Sequence, residues 1–128
     1  MFGRHKYVRH GFGAVRPYIH GNLDLWDLVQ DAFGAVELER HESSATSYHL
    51  EARIEDAVLV LELGDPPHPD GKPGSIYVYV EDADGAYDRA VKHGARSVQA
   101  PTDKPYGERQ AGVRDSYGNT WWIATYLD

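Results

Sequence analysis

A chain of 128 residues supplies one domain, or two small modules sharing a core, and can bury roughly two thirds of its unfolded surface without staples. The absence of cysteine excludes disulfides, thiolate metal sites and cysteine nucleophiles, and suits a reducing compartment. A formal charge of -7 disfavours nucleic acid and mildly favours cationic partners. No apolar run approaches the roughly 20 residues of a membrane span, and Met-Phe-Gly-Arg-His-Lys lacks a signal-peptide core, so the expected location is cytoplasmic.

Residues 1–14 read as a basic N-terminal arm, with Arg4, Lys6 and Arg9 and no carboxylate. Val15 to His20 follows as a short strand, confined by Pro17 to an edge. Asn22 is placed to cap a helix whose apolar residues Leu25, Leu28, Val29 and Ala32 recur at helical spacing, and Gly34 stops it. Ala35 to His41, Tyr48 to Ile54 and Ala57 to Leu63 complete the unit as strands, with His49, Glu51 and Arg53 alternating against Leu50, Ala52 and Ile54. Residues 15–63 thus form a βαβββ module. Residues 64–74 hold four prolines and cannot continue a strand or helix, so they read as a linker.

The same order then starts again over residues 75–128. Ser75 to Val80 is a strand, Asp82 caps a helix bearing Ala83, Ala86, Tyr87, Ala90 and Val91 on one face, and Gly94 ends it. Arg96 to Gln99 is a strand and Thr102 to Gly107 a loop. A hairpin turning at Asp115 to Asn119 closes the module, with Trp121 and Ile123 facing one way and Trp122 and Ala124 the other. Gly34-Ala35 and Gly94-Ala95 lie 60 residues apart, as do Asp24 and Asp84, and Val15 and Ser75, the mark of a duplicated unit within one structural domain.

Paired βαβββ modules, Arg16-Pro17-Tyr18, Ala32-Phe33-Gly34-Ala35, Tyr106 to Asp115 and the Asp115-Ser116-Tyr117-Gly118-Asn119 turn together resemble the vicinal oxygen chelate superfamily, in its glyoxalase/bleomycin-resistance-like branch. The resemblance covers residues 15 to 126. It implies an α+β fold of two cupped mixed sheets with helices outside, and a small-molecule site inside the cup, usually built in a homodimer. In metal-using members the ligand positions correspond here to Val15, Glu62, Ser75 and Trp122. Valine and tryptophan offer no lone pair, and a serine hydroxyl is a poor neutral donor, so neither a metal nor another cofactor is expected.

Glu62 interrupts the run Val58-Leu59-Val60-Leu61 and must face solvent, a cavity or a cation. Tyr77 and Tyr79 share a strand face with Ser75 and, with Trp122, offer aromatic walls. His49 is a polar wall residue. Arg109 and Arg114 flank the hairpin, either to hold an anion or to pair with Glu108 and Asp115. Seven histidines lack metal spacing, and a metal recruited by His41, His49 and Glu62 is the remaining route to one. No catalytic residue stands out. The expected function is metal-independent binding of a small organic molecule, cationic or aromatic, as in sequestration of a toxic or antibiotic compound. The ligand-binding set is His49, Glu62, Tyr77, Tyr79, Arg109 and Trp122, with neither nucleic acid nor membrane as partner. The alternatives are a metal-dependent lyase, isomerase or dioxygenase of the same superfamily, and a structural or regulatory dimer with a filled cup.

Overall fold

The computed structural model describes residues 6–128. Its elements run β1 (Tyr18–Gly21), α1 (Leu25–Phe33), β2 (Val36–Ser44), β3 (Ser47–Ile54), β4 (Ala57–Gly64), β5 (Ser75–Tyr79), α2 (Ala83–Lys92), β6 (Arg96–Lys104), β7 (Glu108–Arg114) and β8 (Thr120–Tyr126). They form two four-stranded mixed sheets of equivalent topology, ordered β1-β4-β3-β2 and β5-β8-β7-β6, whose β1–β4 and β5–β8 pairs are parallel and whose remaining pairs are antiparallel. The α+β class and the repeated βαβββ order are those that the sequence implies.

Strand alternation divides each sheet into a helix-facing side and an open side. Leu50, Ala52, Ile54, Leu59, Leu61 and Leu63 of the first sheet, and Ala111, Val113, Trp121 and Ile123 of the second, are buried in one core with α1 and α2. The two helices meet in that core, and Phe33 stacks on Trp121 at 5.2 Å between ring centroids, so the modules share one interior. Arg89 of α2 caps the carboxyl end of α1, donating from Nε to the Asp31 carbonyl at 2.7 Å, and His93 pairs with the Asp31 carboxylate at 2.6 Å.

Three boundaries differ from the sequence reading, each for a local reason. The first strand begins at Tyr18, because Arg16 turns back to donate from Nε to Gly13 O at 2.7 Å, which leaves Val15 outside the sheet. The helix begins at Leu25, because Asn22 spends its side-chain amide on Ser116 Oγ at 2.8 Å and does not cap. Asp82 does cap α2, accepting from Gly85 N at 3.1 Å. The sixth strand runs on to Lys104 past Pro101, which an outer strand tolerates, and its register slips between Gln99 and Thr102.

The β7–β8 turn is tied together by Asp115, a carboxylate only 6 % exposed. Its Oδ1 accepts from the backbone N–H groups of Tyr117, Gly118 and Asn119, each at 3.0 Å. Its Oδ2 accepts from Asn119 Nδ2 at 2.8 Å and from the Trp121 indole at 2.9 Å. Asn119, fully buried, then donates to His20 O at 2.8 Å and accepts from Gly74 N at 2.9 Å, joining the hairpin to β1 and to the entry of β5. Replacing Asp115 with alanine strands several buried donors at once, and is expected to lower unfolding free energy by about 3 kcal/mol. Urea unfolding of the Asp115→Ala variant measures this; a loss below about 1 kcal/mol would mean that the turn tolerates its removal.

Candidate functional site

The open side of the second sheet is aromatic. Tyr77 and Tyr79 alternate with Ile76 and Val78 on β5 and remain 44 % and 55 % exposed, with their rings edge-on at 5.4 Å. Trp122 pairs with Tyr77 and Ala124 with Tyr79 across the parallel ladder. Small residues let these rings lie low. Ala124 sits between Tyr79 and Gln110, and Gly112 lies so close under the Trp122 ring that an added Cβ would come within 2.7 Å of it.

Beneath the tyrosines is Glu108, at 8 % exposure, whose two carboxylate oxygens accept one hydroxyl each from Tyr77 and Tyr79. Those hydrogen bonds hold its pKa below the ordinary carboxylate value. Reciprocally, the bond to Glu108 and then burial push Tyr79 up to about 12, while burial and then Glu108 raise Tyr77. Gln110 Nε2 donates to Tyr77 and Tyr106 hydroxyls, both at 3.0 Å. A largely apolar groove of about 310 Å³ runs along the β5 edge, lined by Ile54, Leu59, Ile76 and Val78 beside Tyr77 and Tyr79, with Glu55 and Asp56 of the β3–β4 turn at its wall. That volume lies at the lower end of small-molecule sites.

The open side of the first sheet carries alternating carboxylates and imidazoles. Glu62 accepts from Tyr18 Oη at 2.9 Å and meets His49 Nδ1, and His49 Nε2 meets Glu51 Oε2 at 2.9 Å. Glu51, buried, also contacts His10 Nε2 at 2.9 Å. Burial alone would lower the His49 pKa, but its bonds to Glu51 and Glu62 outweigh burial and raise it. Burial alone would raise Glu51, yet hydrogen bonds from His49 and His10 bring it below its usual value. Glu39 is held down to about 2, first by Arg9 and then by His41.

The arm covers the part of this side around Glu39, Glu51 and Val58. Residues Arg9–Gly11 form a single 3-10 turn with His10 in the left-handed region at φ 70°, and Gly13 lies so close to Val58 that a Cβ there would come within 2.9 Å of its Cγ2. Arg16 Nη1 reaches Glu51 Oε1 at 3.3 Å, and Arg9 pairs with Glu39. The anticipated basic arm is thus held, from Arg9 on, against the sheet; Arg4 and His5 lie outside the described residues.

Of the anticipated binding residues, the structure brings His49 and Glu62 together on one sheet, and Tyr77, Tyr79 and Trp122 together on the other. Arg109 belongs to neither open side. It shares the parity of Ala111 and Val113, points to the helix, and donates to Asp84 at 2.8 Å and Asp103 at 3.1 Å, so its expected role in the cup and its pairing with Glu108 are both corrected. Strand parity carried this signal, since Glu108, Gln110 and Gly112 alternate against Arg109, Ala111 and Val113. The sequence reading passed over Glu108, Gln110, Tyr106, Tyr18 and His10.

The positions through which metal-using relatives bind their ion do not fit one here. Val15 is 91 % exposed with a hydrocarbon side chain, Ser75 is exposed, Trp122 is an aromatic wall, and Glu62 is engaged by Tyr18 and His49. The expected recruitment by His41, His49 and Glu62 does not converge either, since His41 turns to Glu39. Among the described residues, the group whose ligand atoms lie within 4.8 Å of one another is His10, Glu39 and Glu51, and Arg9 and Arg16 already pair with both of its carboxylates.

Residues 26–123 match the family model described as Glyoxalase/Bleomycin resistance protein/Dioxygenase superfamily. The chain belongs to that superfamily. Uncharacterized protein Mb0911c of Mycobacterium bovis is 31% identical over 106 residues, covering 74% of this chain and 70% of that protein. Uncharacterized protein Rv0887c of Mycobacterium tuberculosis has the same identity, over 62% of its length. Among solved structures, TioX from Micromonospora sp. ML1 is similar with a TM-score of 0.71 and 25% identity, covering 91% of this chain and 98% of that one. TnmS3, an antibiotic binding protein from Streptomyces sp. CB03234, shares the fold with a TM-score of 0.64 at 19% identity, covering 87% of this chain and 93% of that one. No helix among the described residues is long and apolar enough to cross a membrane.

The Tyr79 couple has a pH signature. Its folded pKa of about 12 stands above the ordinary 10.0, so its stabilisation is intact below about pH 10 and is lost as pH rises toward 12. Thermal melts between about pH 9 and 12 are expected to fall over that window, and to fall less in Tyr79→Phe, with Tyr77 leaving a residual slope. Identical slopes in the two proteins would mean that the Tyr79–Glu108 bond is absent in solution.

Proposed function

We propose that this protein is a metal-independent binder of a small organic molecule, and that it sequesters a toxic or antibiotic compound. The observation that carries this reading is the pair of exposed rings of Tyr77 and Tyr79 with half-buried Trp122 around buried Glu108, beside a groove of about 310 Å³. Exposed aromatic area with a few convergent polar groups is the composition of small-molecule sites, and it is costly to leave in water otherwise. TnmS3, an antibiotic binding protein, gives the reading a precedent on the same fold. His49 and Glu62 contribute from the first sheet if a partner chain brings that open side over the aromatic one.

Such a partner is a second copy of the chain, and we infer a homodimer in a reducing, cytoplasmic setting. Edge strands β1 and β5 and the two open sides are the surfaces that a second copy would cover. Light scattering is expected to give about twice 14.4 kDa at micromolar concentration. A mass equal to the single chain would leave the site on one sheet alone.

A thermal-shift screen with aromatic amines, glycopeptide drugs and α-oxo thiol adducts, with and without nickel or zinc, tests the function. A ligand at 100 times its Kd stabilises by about 2.7 kcal/mol. Stabilisation without metal that disappears in a folded Trp122→Ala variant is the expected result. A second reading, an enzyme, rests on the convergence of His10, Glu39 and Glu51; turnover appearing only on addition of metal would favour it and defeat the binder.

A further inference from the structure

The hydrogen bonds under the aromatic rings have one possible direction. Glu108, kept ionised by its two tyrosines, can only accept, so Tyr77 and Tyr79 both donate to it. At the other end the Lys104 ammonium can only donate, and donates a hydrogen bond to Gln99 Oε1 at 3.0 Å. That fixes the Gln99 amide, whose Nε2 then donates to Gln110 O at 3.1 Å and Gln110 Oε1 at 3.3 Å. Gln110 in turn has its oxygen occupied and its Nε2 directed at Tyr77 and Tyr106. Both amides are thereby oriented by chemistry. The chain runs Lys104 to Gln99 to Gln110 to Tyr77 to Glu108, from a cation on the outer strand β6 to an anion on β7.

This arithmetic leaves unequal groups facing outward. At the Glu108 end, Tyr79 has spent its hydrogen and presents only lone pairs, with the buried carboxylate beneath it. At the Lys104 end, the ammonium keeps two N–H groups beyond its bond to Gln99. In between, the amide N–H groups of Gln99 are spent on Gln110 and those of Gln110 on Tyr77 and Tyr106, so the one hydrogen left there is that of the Tyr106 hydroxyl, a weaker, neutral donor beside the ammonium. Flat apolar surface flanks this line, provided by Trp122 over Gly112 and by the Tyr77 and Tyr79 rings over Ala124.

We propose that this face takes a flat aromatic molecule with a protonated amine or other strong donor at one end and a carboxylate or carbonyl acceptor at the other. It lies across the strands, donor end over Tyr79 and Glu108, acceptor end over Lys104. The proposal rests on the reading of this face as a ligand site and adds the polarity of the ligand to it. A ligand that carries only a cation, as net charge alone would favour, leaves the Lys104 end unmatched.

Titration calorimetry with 4-(aminomethyl)benzoate and its biphenyl homologue tests this. Each is compared with its counterparts lacking the amine, the carboxylate or both. At least one of the two is expected to bind about tenfold tighter than either of its singly charged counterparts, the worth of one charge-assisted hydrogen bond. Glu108→Gln is expected to reduce that compound to the level of its carboxylate-only counterpart, and Lys104→Met to that of its amine-only counterpart. Lys104 is a half-buried strand-end residue, so its variant carries the test alone should Glu108→Gln not fold. Equal affinity for charged and uncharged compounds, or a zwitterion advantage that survives Lys104→Met, would overturn the polarity while leaving the ligand site standing. Absence of binding by the whole series would overturn both.

Discussion

Five donors converge on the buried carboxylate of Asp115, and this one side chain sets the geometry on which both sheets depend. A buried charge is tolerable only when its hydrogen-bonding capacity is filled, and here the filling groups are the turn's own backbone and the Trp121 indole. Asn119 passes the constraint outward to His20 O in the first module and Gly74 N before the second. The parallel strands β1 and β5 are therefore positioned from one turn. Because Trp121 is anchored on the core side, its neighbour Trp122 must stand on the open side.

The two open sides have diverged although their sheets share a topology. Glu62 and Trp122, 60 residues apart, occupy equivalent places on β4 and β8; one is knitted into an imidazole–carboxylate array, the other is an aromatic wall. The first side is partly occupied by its own chain from Arg9 to Arg16, which leaves His49 and Glu62 in part exposed, and the second is left uncovered. The superfamily's metal chemistry needs convergent lone-pair donors on both modules. Here the carboxylates that converge do so on one sheet, already matched by arginines.

Much of this was legible in the sequence because it depends on local rules. Glycines at 34 and 94, in left-handed conformation at φ 70° and 95°, end the helices where the pattern places them, and two-residue alternation separates Trp121 from Trp122. The open-side networks were not legible, since their bonds span up to 44 residues, as between Tyr18 and Glu62, and depend on side-chain reach across strands. Arg109 is the instructive case. Charge suggested a partner next door at Glu108, but adjacent residues on a strand point oppositely, and the true partners lie on α2 and β6. The start of the first strand was missed because no local rule reports that Arg16 will fold back on Gly13.

One consequence concerns how the molecule can be observed. The chain has three tryptophans, of which Trp26 and Trp121 are sealed in the core and Trp122 alone lies on an open side, its ring against Gly112. Iodide or acrylamide in solution meets that indole before the others, so the quenchable part of the intrinsic emission is a label-free reporter of what approaches the second sheet, while the shielded part reports only whether the protein is folded.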